Sequence, residues 1–214
     1  MKINRLAIMF TVFAYILSLI AIPYLPEQVA IHWNASGVAD GFAGKWFGAF
    51  LLPLLMTFIV VLMSVLPKFD PKKANYGSFQ KSYSISTVAL SLFFFAIHIV
   101  MLAFNLGFPV DVGLVVLVGI GALFIVLGNY MPKIKHNYFV GIRTPWTLAS
   151  ETVWNKTHRL GGKVFVAMGI LSMLTALWHG EMQFVLFIII IVIGNLYLLI
   201  QSYLYFQQEQ RKRL

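Results

Sequence analysis

Cysteine is absent from the 214 residues. That excludes structural disulfides, thiol nucleophiles and thiolate-bound metals. Charge is nearly as scarce: Asp, Glu, Lys and Arg make up 11% of the chain, against about 25% in soluble domains, and only 7 of these residues are acidic. With 60% hydrophobic residues the sequence has too little polar surface to solvate a globule of this size. No Asp, Glu, Lys or Arg stands midway along any long apolar run, which argues against a proton-coupled pump or an ion-driven antiporter built on an intramembrane carboxylate. HExxH, GxSxG, P-loop and dinucleotide glycine patterns are missing as well. The sequence therefore reads as a non-enzyme without cofactor or metal.

What is present is a series of six uncharged apolar runs, at 6–22, 46–66, 85–104, 112–131, 164–178 and 184–205. A hydrocarbon core of about 30 Å takes about 20 helical residues to cross. Four runs meet that length, and the first and fifth lean on flanking residues such as Lys163, whose stem reaches the interface. Charge alternates between the connections. Lys2 and Arg5 give the N-terminus +2; Glu27, Asp40 and Lys45 leave the first loop at −1; Lys68, Lys72, Lys73 and Lys81 against Asp70 give the second +3. The third loop has Asp111 alone. The fourth is +5, from Lys133, Lys135, Arg143, Lys156, Arg159 and Lys163 against Glu151; the fifth has Glu181 alone, and the tail is +2. The expected fold is an all-α polytopic bundle of six transmembrane helices with both termini in the cytoplasm. The net charge of +9 then marks topology and attraction to anionic headgroups rather than direct nucleic-acid binding. Lys2 and Arg5 before an apolar run resemble a signal peptide, but Ile22-Pro23-Tyr24-Leu25-Pro26 is a poor cleavage site, so the first run reads as a retained helix.

Prolines 23, 26, 67, 109 and 132 stand at span ends, where a missing amide costs least. Pro53 lies inside the second span, so that helix either kinks or needs a neighbour to satisfy the carbonyl the ring frees. Glycines 113, 119, 121 and 128 in the fourth span and Gly194 in the sixth suit close helix approach. No internal repeat supports an inverted-repeat transporter.

Polar residues gather in three places. In the first outer loop His32, Trp33, Asn34, Gly37 and Asp40 form a turn-rich stretch that predicts a compact, self-bonded loop with Trp33 near the interface; His32 and Asp40 alone are a weak metal pair. His98, inside the third span, is either a functional group or a neutral imidazole bonded to a neighbouring helix, with Asn129, Asn195 and Gln201 as polar candidates. The fourth loop carries Gly141, Arg143, Thr144, Pro145, Trp146 and Thr147, then Glu151, Trp154, His158 and Arg159. Pro145 pushes Thr144 out of helical geometry, and Ser150 is a good N-cap with Glu151 placed well against the helix dipole. The spacing of Val153, Trp154, Thr157 and Leu160 predicts an interfacial amphipathic helix that ends at Gly161 and Gly162 before the fifth span. Trp146 and Trp154 are expected as inner-interface anchors, and Arg143 is suited to a phosphate headgroup, a backbone carbonyl or Glu151.

At these two loops the sequence resembles the SdpI immunity-protein family of bacterial polytopic membrane proteins. Gly141-Ile142-Arg143-Thr144-Pro145-Trp146-Thr147-Leu148, followed by Glu151-Thr152-Val153-Trp154 and the basic helix to Arg159, is similar to that family's signature. The outer stretch from Leu25-Pro26 through Ile31-His32-Trp33-Asn34, Gly37 and Asp40-Gly41 to Lys45 resembles the short domain of unknown function that commonly precedes it. The resemblance implies a two-span unit at 1–66 and a four-span unit at 67–214, in the bacterial cell membrane. It further implies protection of a cell against a secreted apolar peptide toxin, with toxin sensing and capture of a cytoplasmic winged-helix repressor. Membrane lipids are the remaining expected partner. The competing reading is a transporter of small solutes or lipids, with a midplane cavity lined by His98, Asn129, Asn195 or Gln201.

Overall fold

The computed structural model describes residues 4–178 and 180–212. Lys2 and Arg213, counted above for topology, and His179 of the last outer turn lie outside the described residues. Six long apolar helices cross the molecule: α1 (Arg5–Ala21), α2 (Lys45–Phe69), α3 (Gln80–Asn105), α4 (Val112–Tyr130), α6 (Glu151–Leu174) and α7 (Glu181–Arg211), with a short α5 (Pro145–Ala149) between α4 and α6. Among the described residues, the single pair of strands is an antiparallel hairpin of β1 (Gln28–Trp33) and β2 (Ala39–Gly44) in the first outer loop.

The bundle is inside-out relative to a soluble one. On α1 the buried residues are Ala7, Thr11, Ala14, Ser18 and Ala21, while Leu6, Val12, Phe13, Leu19 and Ile20 face outward. Small residues allow backbones to approach, and bulky ones meet lipid at no cost. On α3 the buried Ser86, Thr87 and Ser91 each donate to the carbonyl four residues back, at 2.9–3.0 Å, so their hydroxyls enter the bundle already satisfied.

Two prolines interrupt α2, and both freed carbonyls find a hydroxyl. Pro53 removes the donor for the Ala49 carbonyl, which accepts from Ser18 Oγ of α1 at 2.7 Å. Pro67 frees the Met63 carbonyl, which accepts from Tyr83 Oη of α3 at 2.6 Å. Of the two outcomes expected at Pro53, a neighbour satisfies the carbonyl. Pro67 does not end the span as expected, since α2 runs on to Phe69 with the Tyr83 bond in place.

The fourth and fifth spans meet backbone to backbone. A Cβ on Gly128 would lie 2.7 Å from the Gly162 carbonyl oxygen, and one on Gly162 would lie 2.8 Å from that of Gly128. Gly121 and Gly169 repeat the relation one heptad away, at 2.7 and 2.5 Å. Only hydrogen fits at these crossings. This corrects the expected break at Gly161 and Gly162: the amphipathic stretch and the fifth span are one continuous helix, and Gly162 is a contact surface within it. The apparent shortness of the fifth run disappears with the same finding.

The odd-numbered loops share one end and the even ones the other. Asn105 at the end of α3 clasps β1, accepting from the Ala30 amide at 2.7 Å and donating to its carbonyl at 3.0 Å; Ser36 of the hairpin turn donates to Glu181 at 3.2 Å. At the opposite end Asn4 donates to Ser84 at 2.6 Å, and Ser150 at the start of α6 donates to Glu209 near the end of α7. The Lys/Arg bias assigns this second end to the cytoplasm.

Gly128→Ala should destabilise the bundle by about 1–3 kcal/mol, as overpacking of a close contact does. Gly119→Ala meets only the Phe93 ring at 3.1–3.2 Å, which can turn aside, and should cost less. Detergent-induced unfolding of the two variants in mixed micelles measures the difference.

Candidate functional site

The signature loop folds into a closed knot on the cytoplasmic end. Thr144 is extended (φ −98°, ψ 161°), and Pro145 opens α5 behind it. Thr144 and Thr147 cap each other: the Thr147 amide donates to Thr144 Oγ1 at 3.2 Å, and the Thr144 amide to Thr147 Oγ1 at 2.9 Å. Thr147 Oγ1 in turn donates to the Ile142 carbonyl at 2.8 Å. After the break, Ser150 Oγ caps α6 by accepting from the Val153 amide at 3.2 Å.

Trp154 and His158 form the centre of the knot, one turn apart on α6 and both essentially without exposure. Their rings stack at 3.9 Å. His158 Nδ1 donates to the Trp154 carbonyl at 2.9 Å, which leaves Nε2 to accept from the Ile142 amide at 3.0 Å. Both nitrogens are thus engaged by a neutral ring. Gly141 makes that bond possible: its φ is +113°, and any Cβ there would run into His158 Nε2. Trp154 Nε1 donates to the Ile134 carbonyl at 2.8 Å. Trp154 is therefore not an interfacial anchor as expected, because its face of α6 turns inward against the loop. Trp146 is half-buried against Tyr203 of α7, at 5.1 Å between ring centres.

Three further residues complete the knot. Asp70 is buried and accepts from the Lys72 amide at 2.7 Å, from Tyr76 Oη at 2.9 Å and from the Tyr138 amide at 2.9 Å, so it ties the second loop to the fourth. Asn137 accepts from the Phe139 and Val140 amides and donates to the Lys135 and Val140 carbonyls. His136 Nδ1 accepts from Lys72 Nζ at 2.9 Å, and burial, helped by that ammonium, pushes the imidazole pKa down. Sequence reading passed over all three. The available signal was Asp70 as the single acid in a loop of four lysines, and a His-Asn-Tyr run directly after Pro132 and two lysines.

Around the knot the charged signature residues stay apart. Arg143 is exposed, donates from Nη1 to the Tyr138 carbonyl at 3.1 Å, and lines a groove of about 400 Å3 with Asn195 and Leu199 of α7. Of its three expected partners, the backbone carbonyl is the one present. Glu151 and Arg159 are exposed, while His158 is buried with both nitrogens bonded, so Arg143, Glu151 and His158 do not assemble an acid-base site.

On the outer side Asn34 organises the turn, its Oδ1 accepting from the Ser36 and Val38 amides at 3.0 Å each and its carbonyl from the Gly37 amide at 2.9 Å. The self-bonded loop foreseen from composition is the tip of a hairpin, with His32 and Asp40 paired across the strands at 2.5 Å. Trp33 packs edge-on to Phe104 at 5.2 Å. Beneath the hairpin, between α2, α3, α4 and α7, lies a cavity of about 520 Å3. His98 is buried between α1 and α3, with Nε2 3.1 Å from both the Ala14 carbonyl and Ser18 Oγ. Its partners are thus on α1, in place of the expected Asn129, Asn195 and Gln201. Asn129 is exposed, and Asn195 donates to its own helix at Ile191.

Gly141→Ala should cost at least the roughly 1–3 kcal/mol of a strained backbone position, because it also displaces His158; thermal unfolding with Trp fluorescence reads it. A second expectation concerns pH. Below the ordinary imidazole value of about 6.5 the unfolded chain takes up a proton that folded His136 resists, so stability is complete above that pH and falls as pH drops toward the lowered folded value. His136→Gln should flatten that part of the melting-temperature profile between neutral pH and pH 5.

The comparisons with known proteins fall on these same two regions. The sequence model of the SdpI/YfhL protein family matches residues 133–201, and that of a domain of unknown function (DUF1648) matches residues 9–57. Immunity protein SdpI of Bacillus subtilis (strain 168) is 27% identical over 216 residues, covering 100% of both chains. No solved structure matches. With the inner knot and the outer hairpin each under its own match and a relative collinear from end to end, the chain is a multi-pass membrane protein that resembles the SdpI family along its whole length.

Proposed function

We propose that this chain is an integral membrane immunity protein that protects its cell from a membrane-active peptide toxin. The observation that carries the reading is collinearity over the full length with a protein named for immunity. The name of neither the family nor the relative describes an enzyme, and the separation of Glu151 and Arg143 from the buried His158 is in keeping with a role that requires no chemistry. An apolar toxin entering from outside meets the hairpin first and then the helix faces below it, where it is held by packing rather than by charge.

The finer part of the proposal is toxin sensing with capture of a winged-helix repressor on the cytoplasmic face. Lys133, Lys135, Arg143, Lys156 and Arg159 are all exposed around the knot, with Tyr138 among them. A rigid basic and aromatic surface of this kind suits protein docking. The transporter reading draws less support, since its polar candidates His98, Asn129 and Asn195 face different neighbours.

Expression in a toxin-sensitive bacterium should preserve membrane potential during challenge with the peptide toxin of the source organism, read with a potential-sensitive dye. Substitutions within 141–146 should reduce protection in proportion to the loss of folded protein in the membrane. No protection against any peptide toxin encoded by that organism, at normal membrane abundance, would sink the immunity reading.

A further inference from the structure

We propose that the outer cavity is a binding site for a short segment of uncharged apolar peptide, held through backbone carbonyls that accept from Trp33 and Gln183. The site rests on the immunity reading only for the origin of that peptide as a toxin. At about 520 Å3 the cavity lies within the range of about 300–1,000 Å3 usual for ligand sites. Its walls are apolar, including Leu52, Ile97, Val116, Leu117 and Phe187. Trp33 and Gln183 both line it, and each carries a buried donor, Nε1 and Nε2, that has no hydrogen-bond partner among the described residues. Gln183 is 8% exposed. A buried donor without an acceptor is costly, so a ligand that supplies one gains selectively.

The Trp33 ring is also held in place. Trp33 sits on the strand that Asn105 clasps and is braced edge-on by Phe104, and Gln183 lies in the first turn of α7. Indole N–H donates only, and the amide nitrogen donates only, so the ligand must bring acceptors at two points along an apolar body. The charge of the site decides which acceptors. No Lys or Arg lines the cavity, and Asp111 does. A fatty carboxylate or a phosphate would meet the Asp111 carboxylate and no Lys or Arg, and the one lining imidazole, His32, is already paired with Asp40, at an end of the molecule whose loops are net negative. Neutral amide carbonyls carry no such penalty, and a peptide repeats them along its length.

The natural absence of cysteine makes the site directly testable. Val116→Cys places a single thiol in the cavity wall, and Val118→Cys places one in the separate groove between α3 and α4. With the full chain in phosphatidylcholine vesicles, N-acetyl-trileucine amide should slow maleimide labelling at position 116 saturably and leave position 118 unchanged, while decanoate at equal membrane loading should protect neither. Trp33→Phe and Gln183→Met, each added singly to Val116→Cys, should weaken protection about tenfold, the factor that one hydrogen bond confers. Labelling at position 118 in the same backgrounds confirms that each variant is folded. Absence of protection at 116, equal protection by decanoate, equal protection at 118, or full protection in both donor variants would overturn the proposal. Cells left unprotected while the tripeptide still occupies the site would remove the immunity reading alone, and protected cells with an unoccupied cavity would remove the site alone.

Discussion

A backbone carbonyl that loses its donor inside a bilayer has no water to turn to, and leaving it free costs several kcal/mol. The N-terminal half of this bundle is arranged around that constraint. Pro53 and Pro67 each free one carbonyl of α2, and the hydroxyls that answer them come from two different helices, Ser18 on α1 and Tyr83 on α3. The two bonds fix α2 against both neighbours at two depths. Ser18 also stands 3.1 Å from His98 Nε2, so the imidazole, the serine and the freed carbonyl form one connected group linking three helices. An ionisable residue inside a span normally invites a functional hypothesis. Here its neutral form has a structural use.

The C-terminal half solves the same problem without side chains. Where α4 crosses α6, four glycines let the backbones meet, each helix keeping its own ladder intact. Close contact replaces interhelical hydrogen bonding, and the pairs 121/169 and 128/162 meet at two points along the observed crossing. That crossing carries the cytoplasmic half of α6 to a fixed height above the inner ends of the spans, which is what sets Trp154 and His158 under the signature loop. The knot is in this sense a consequence of the glycine crossing.

Much of this was legible in the residues. Six apolar runs and the alternation of charge specify span number and orientation, because both follow from transfer energies that act residue by residue. Pro145, Thr144 and Ser150 announce local geometry, since capping and proline effects are confined to a few bonds. The misreadings share one cause. Trp154 looked like an anchor and Gly161-Gly162 like a turn because an amphipathic face does not reveal whether it meets lipid or protein. That depends on Gly128 and Gly121, at least 26 residues away. The hairpin was hidden for a related reason: Val29 and Ala30 are buried because Gly48 and Asn105 receive them, not because 28–44 alternates strongly. Asp70, His136 and Asn137 are informative only as a set, and the set is assembled where the loop before α3 meets the loop after α4 at one end of the bundle.

The two ends of the molecule differ in how far their polar atoms are bonded. In the inner knot, His158, Thr147, Asn137, Trp154 and Asp70 hydrogen-bond one another or nearby backbone, and His136 Nε2 and Thr157 Oγ1 are the buried atoms there without a partner among the described residues. A ligand could bond these side chains only by first breaking the structure that presents them. The buried side chains of this loop thus hold the loop itself together. Only its outward-facing cations, Arg143 foremost, remain free to meet a headgroup or a protein surface. At the outer end the balance reverses: the hairpin is pinned by Asn105 and braced by Phe104, yet Trp33 and Gln183 keep their donors unpaired above apolar walls. Rigid positioning with unmet hydrogen-bonding capacity is the physical condition for recognition. In this chain that condition is met at the outer end, between the hairpin and the helices beneath it.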